Sequence, residues 1–212
     1  MNRFFDSIFN FDSSFMLKAS RVASLIILNL LWLVCCIPVI TIGPATVAMH
    51  HVLFQYHTGR SDQVFKPFFH AFFRDFGQGV LLGIPVTIVC VLLVFNGLYI
   101  YGNYPGTFHP LWIPFVLMLA ITAAMIIYGF PLMARYQLKL GQVVSNALAF
   151  FLRNPKLSFF STLLYFLPVL VFLFLPGFLS NFLFLWVLLG GSTAATLCDK
   201  RLLKLFEQEE ED

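Results

Sequence analysis

Charge is scarce in this chain. Lys and Arg number 13 and Asp and Glu 10 in 212 residues, 11% in all, where a soluble domain carries about 25%. From Val22 through Pro38, on through Gly43-Pro44 and as far as His57 there is no Lys, Arg, Asp or Glu at all. An uncharged apolar run well beyond the roughly 20 residues that cross a bilayer excludes an ordinary soluble core and points to a membrane protein.

Other absences narrow the function. The four cysteines, Cys35, Cys36, Cys90 and Cys198, show no CxxC or Cys/His spacing, so neither a disulfide framework nor a metal site follows, and they read as small packing residues. There is no Gly-rich phosphate loop, no HExxH and no GxSxG. The expected spans hold no carboxylate, Lys or Arg, which argues against a proton-coupled carrier or ion pump. The reading is a non-enzymatic chain with no cofactor, no metal and no nucleic-acid partner.

What is present is apolar: 59% hydrophobic residues, 27 of them Phe, and a mean hydropathy of +0.86. The expected fold is all-α, a polytopic membrane helix bundle of about five transmembrane helices. It forms a single integral membrane domain over residues 1–212, with an interfacial tail over 1–21, membrane helices over 22–197 and a basic then acidic tail over 198–212. Phe4, Phe5, Ile8, Phe9, Phe11, Phe15 and Met16 suit one interfacial helical face. The first span breaks between Ile37 and Pro44, where Pro38 and Gly43-Pro44 interrupt the backbone bonding. That break is either a kink or a re-entrant turn.

A second span is expected from about Gly77 to Tyr99, with Gly79 and Gly83 spaced for close helix contact. The uncharged Tyr99–Pro110 stretch reads as an interfacial belt and turn. A third span runs from about Leu111 to Met133, broken at Gly129-Phe130-Pro131. The fourth runs from about Leu157 to Leu175, and after a Pro176-Gly177 turn the fifth runs from about Phe178 to Leu197. Two amphipathic basic segments, Thr58–Phe76 and Arg135–Lys156, suit helices on the membrane face. Ala71-Phe72-Phe73-Arg74-Asp75 resembles Ala149-Phe150-Phe151-Leu152-Arg153-Asn154, which suggests two copies of span, amphipathic segment, span.

Orientation follows from the basic residues. Arg60, Lys66, Arg74, Arg135, Lys139, Arg153, Lys156, Lys200, Arg201 and Lys204 fall on one side of the five-span arrangement, and Arg3, Lys18 and Arg21 on the other. Lys and Arg gather in short cytoplasmic segments, so the amphipathic segments and the C-terminus are expected in the cytoplasm of a bacterial cell-membrane protein. A re-entrant Pro38–Pro44 would bring the N-terminus to that side too. His50, His51 and His57 read as interfacial histidines, since no Asp, Glu or Cys joins them at close spacing. Asn29, Thr41, Thr46, Thr87, Asn96, Thr122, Ser161, Asn181, Ser192 and Thr193 read as helix-to-helix hydrogen-bonding residues.

Met1-Asn2-Arg3-Phe4-Phe5, the block from Leu28-Asn29-Leu30-Leu31-Trp32-Leu33 through Cys35-Cys36-Ile37-Pro38-Val39-Ile40-Thr41-Ile42-Gly43-Pro44-Ala45-Thr46, and Phe68-Phe69-His70-Ala71-Phe72-Phe73-Arg74-Asp75-Phe76 resemble the YesL family of bacterial integral membrane proteins, the domain of unknown function 624. The resemblance extends over nearly the whole chain. It implies no catalytic residues, and it implies genomic company with carbohydrate ABC importers and glycoside hydrolases.

The expected function is therefore an accessory membrane subunit of a carbohydrate ABC importer, binding its permease subunits among the membrane lipids, with a homo-oligomer possible. The expected partner contacts are Asn29, Trp32, Pro38, Thr41, Gly43, Pro44, Phe72, Arg74, Phe151 and Arg153. A self-contained channel or facilitator for a small solute is the alternative, and it needs Asn29, Thr41, Asn96 and Thr122 to converge. An intramembrane enzyme needs His50, His51 or His57 to meet cysteine.

Overall fold

The computed structural model describes residues 22–59, 63–103, 109–136, 138–174 and 191–211, all of them helix, turn or connecting coil. The interfacial tail over 1–21, the Pro176-Gly177 turn, Asn181 and most of the fifth span lie outside the described residues.

The chain first forms α1, Val22–Cys35, then a 3-10 turn, Val39–Thr41, and α2, Ile42–His57. Trp32 Nε1–H donates to Thr46 Oγ1 at 3.2 Å, although the two residues are 14 apart. In a continuous helix that separation would be about 21 Å. The chain therefore reverses between Cys36 and Thr41, and the broken first span is a hairpin. Thr41 holds the turn, its hydroxyl donating to the Cys35 carbonyl at 2.6 Å and the Pro38 carbonyl at 2.7 Å. The Pro38 carbonyl also accepts from the Thr41 amide at 3.0 Å, so side chain and backbone close the turn together. Gly59, at φ 67°, ends α2 in the left-handed conformation that glycine adopts without strain.

Around α2 sit α3, Phe65–Arg74, the start of α4, Phe76–Asn103, and the end of α5, Trp112–Arg135. The chain continues as α6, Leu140–Arg153, α7, Pro155–Phe174, and α8, Gly191–Glu211. Helix α2 is buried almost all round, from Gly43 to Phe54, as expected of a helix apolar on every side. It belongs to both hydrophobic clusters. With α1, α3 and Ala195 of α8 it encloses Leu28, Met49, Leu53, Phe68 and Phe72. With α4, α5, α6 and the far half of α8 it encloses Val47, Phe54, Tyr128, Val143, Leu202 and Phe206.

Among the described residues two helices are long and apolar enough to cross a membrane, Phe76–Ile100 and Trp112–Arg135. The most apolar stretch of the first is only 22% buried, whereas the core helix of a soluble protein is mostly buried. Its outward side chains include Ile88, Val94, Phe95 and Leu98. Membrane helices are what the composition called for. The expected break at Gly129-Phe130-Pro131 is a π turn, Met125–Gly129, inside a helix that otherwise continues. Widening the ladder by one residue accommodates the amide that Pro131 lacks.

The internal repeat has a structural counterpart. Helices α3 and α6 each end in Arg, pause for one residue, and lead into the next helix. At the first joint Asp75 N donates to the Ala71 carbonyl and Gly79 N to the Asp75 carbonyl; at the second Asn154 N donates to Phe150 and Ser158 N to Asn154.

The segment expected as a basic then acidic tail packs along one side against the other helices. Helix α8 runs unbroken through Leu197, and Cys198, Asp199, Leu202, Leu203 and Phe206 are buried while Lys200, Arg201 and Lys204 face outward. The buried residues recur at helical spacing, a stripe that the high density of charge conceals.

Candidate functional site

Polar groups collect along the seam between α2 and α8. His50 Nδ1 lies 2.8 Å from Asp199 Oδ2 and 2.9 Å from Oδ1, with the two residues 149 positions apart. They are 1% and 0% exposed. A carboxylate only accepts, so the imidazole N–H donates. Asp199 lies beyond the last span expected from the sequence, which ends near Leu197. Burial pushes its carboxyl above the ordinary value, and the neighbouring His50 holds the rise in check. His50 was expected at an interface and is instead in the core. No spacing in the sequence reveals the pair, because its partner comes from the other end of the chain.

Other contacts extend the seam. Ser192 N donates to Asn29 Oδ1 at 3.1 Å, which ties α1 to α8. Cys198 Sγ lies 3.4 Å from Ser161 Oγ on α7, and Tyr128 Oη is 2.9 Å from Ser158 Oγ. Among the described residues no three His, Cys, Asp or Glu side chains assemble as a metal site.

At the end of α2 the seam opens into a cleft of about 370 Å³ lined by His51, Gln55, Thr58, Arg135, Tyr136 and Glu207. His51 Nδ1 lies 3.1 Å from the Ala134 carbonyl and its Nε2 lies 2.9 Å from Gln55 Nε2. The sequence hid this cleft, since its lining comes from α2, α5 and α8.

The expected contact residues separate into three groups. Asn29, Gly43, Pro44 and Phe72 are buried and hold helices together. A Cβ on Gly79 would sit 2.8 Å from Pro44 Cα, and one on Gly83 would sit 2.5 Å from Gly43 Cα. Trp32 and Thr41 are half-buried and maintain the hairpin, and Phe151 packs edge-on to Tyr128. Pro38, Arg74 and Arg153 face outward.

At two corners exposed apolar side chains stand directly beside basic ones. On α3, Phe65, Phe69 and Phe73 form one outward row, with Phe73 70% exposed, and Lys66, His70 and Arg74 form the next row round. Arg74 binds the Asp75 carboxylate through both Nε and Nη2, and that bonding holds the guanidinium above its usual range. At the α6–α7 corner Leu152, 77% exposed, and Phe159, 73% exposed, flank Arg153 and Lys156. The polar residues that a pore would need are dispersed. Asn96 donates to Leu92 and Thr122 to Met118 within their own helices, and Asn29 and Thr41 are engaged as described.

Residues 25–97, the stretch from α1 through most of α4, match the family described as protein of unknown function, DUF624. The match includes the Asn29 to Thr46 block and Phe68–Phe76, so the family resemblance rests on these residues rather than on the whole chain. No curated protein and no solved structure matches.

Proposed function

We propose that the chain is a non-enzymatic accessory subunit of the bacterial cell membrane that binds the permease subunits of a carbohydrate ABC importer and supports its assembly or sugar uptake. The observation carrying this reading is the pair of corners, α3–α4 and α6–α7, where large apolar side chains stand exposed beside Arg. Contiguous exposed apolar groups rimmed by charge mark interaction surfaces. The importer as partner comes from the family resemblance.

In this reading the α1–α2 hairpin enters the membrane from the cytoplasmic face and returns to it. Helices α4, α5 and α7 cross, and the basic face of α8 lies on the cytoplasmic side. The N-terminal Arg3, Lys18 and Arg21 then join the other basic residues on the cytoplasmic side, in keeping with the distribution of Lys and Arg in membrane proteins.

The test is affinity purification of the tagged protein from its native membrane in mild detergent, with mass spectrometry of what accompanies it. Recovery of ABC permease subunits, lost on Phe73→Asp and Leu152→Asp with the melting temperature unchanged, is the expected outcome. Recovery of the protein alone or only as a homo-oligomer contradicts the proposal.

A further inference from the structure

A groove of about 700 Å³ runs between α4, α5 and the first turn of α6, lined by Leu81, Pro85, Val89, Met118, Ile121 and Val144 among others. Among the described residues its single polar side chain, Thr122, already donates its hydroxyl to the Met118 carbonyl at 2.7 Å. The walls therefore offer an occupant no free side-chain hydrogen-bonding group, and they select hydrocarbon. The volume lies within the range of small-molecule sites. A partner helix does not fit inside it: a cylinder about 10 Å across already occupies roughly 800 Å³ over 10 Å of length. An extended acyl chain is narrow enough.

Charge at one edge identifies the headgroup. Leu140 and Gly141 form part of the groove wall, and the residue before them, Lys139, is exposed. Its backbone opens α6, with Gln142 N and Val143 N donating to its carbonyl. A cation at the positive end of a 14-residue helix favours an anion there, and none of the described residues that line the groove is acidic. We propose that this groove binds one acyl chain of an anionic phospholipid whose phosphate lies against Lys139. This assignment does not depend on the importer as partner.

The protein would be reconstituted into vesicles of phosphatidylcholine containing a phosphatidylglycerol with a diazirine on its acyl chain, irradiated, and mapped by peptide mass spectrometry. Labelling concentrated on Leu81, Val89, Met118 and Val144 is expected, above that on the outward face at Val94 and Leu98. Val144→Trp should displace the label from the groove while leaving outward labelling unchanged. Lys139→Gln should lower the preference for phosphatidylglycerol over a phosphatidylcholine probe by about fivefold, the effect of one basic residue near an anionic surface. Equal labelling of groove and outward face would mean ordinary surrounding lipid and would overturn the site. Labelling of a co-purifying protein in place of the groove residues would overturn it as well. The wild-type map alone decides between these results even where Val144→Trp does not fold.

Discussion

The His50–Asp199 pair is the most consequential contact between single side chains. Removing one partner of a buried pair leaves the other's polarity uncompensated, which costs about 3–5 kcal/mol. His50→Ala should therefore destabilise the protein by that order in a detergent unfolding titration. Asp199→Asn keeps an acceptor for the imidazole N–H and should cost only about 1–2 kcal/mol, in the range of one hydrogen bond. The two variants should also differ in pH dependence. Burial already raises the Asp199 carboxyl, and His50 restrains the rise, so His50→Ala raises it further above the unfolded value of about 3.9. A carboxyl raised in the folded state contributes stability that is fully present below the unfolded pKa and lost as pH rises through the folded one. His50→Ala should accordingly regain stability relative to wild type as pH falls from neutrality toward about 5. Asp199→Asn should show no such recovery.

Helix contacts are decided by glycine at one crossing and by charge patterning elsewhere. Gly83→Ala places a methyl 2.5 Å from the Gly43 backbone. Backbone atoms cannot rotate away, so the variant should lose about 1–3 kcal/mol. Gly77→Ala, nearer the start of the same helix, meets nothing within 4 Å; it should be neutral or stabilising by up to about 1 kcal/mol. Melting both variants by intrinsic tryptophan fluorescence separates close approach from helix propensity. The spacing of Gly79 and Gly83 was legible in the sequence, but their partner Gly43-Pro44 was not, because periodicity reports a face and not what lies against it. The long uncharged runs gave α4 and α5 to within a few residues. The buried side of α8 past Leu197 was not legible because Lys200, Arg201 and Lys204 dominate its composition while Leu202 and Phe206 are buried on its other side.

Across the whole molecule, the Val22–His57 stretch organises the fold as its missing charge suggested, although as a hairpin whose second helix alone is buried almost all round. Proline and glycine mark the interruption; they leave its angle open, and the Trp32–Thr46 and Thr41–Cys35 bonds that set it form only when the chain has reversed. The repeat was readable only as composition, through Phe72-Phe73-Arg74 and Phe150-Phe151, and its joints are matched in backbone bonding at Asp75 and Asn154. The polar seam and its cleft stayed hidden because each contact joins residues far apart in the chain. The hairpin carries the account of how the protein sits in the membrane, and thiol labelling tests it most directly. Single cysteines at Val22 and Lys204, both exposed, would be introduced after replacement of Cys35, Cys36, Cys90 and Cys198. They would be exposed to a membrane-impermeant maleimide in intact cells and in inverted vesicles. The account expects both positions to react only in inverted vesicles; reaction of Val22→Cys in intact cells, with Lys204→Cys still protected, would contradict it.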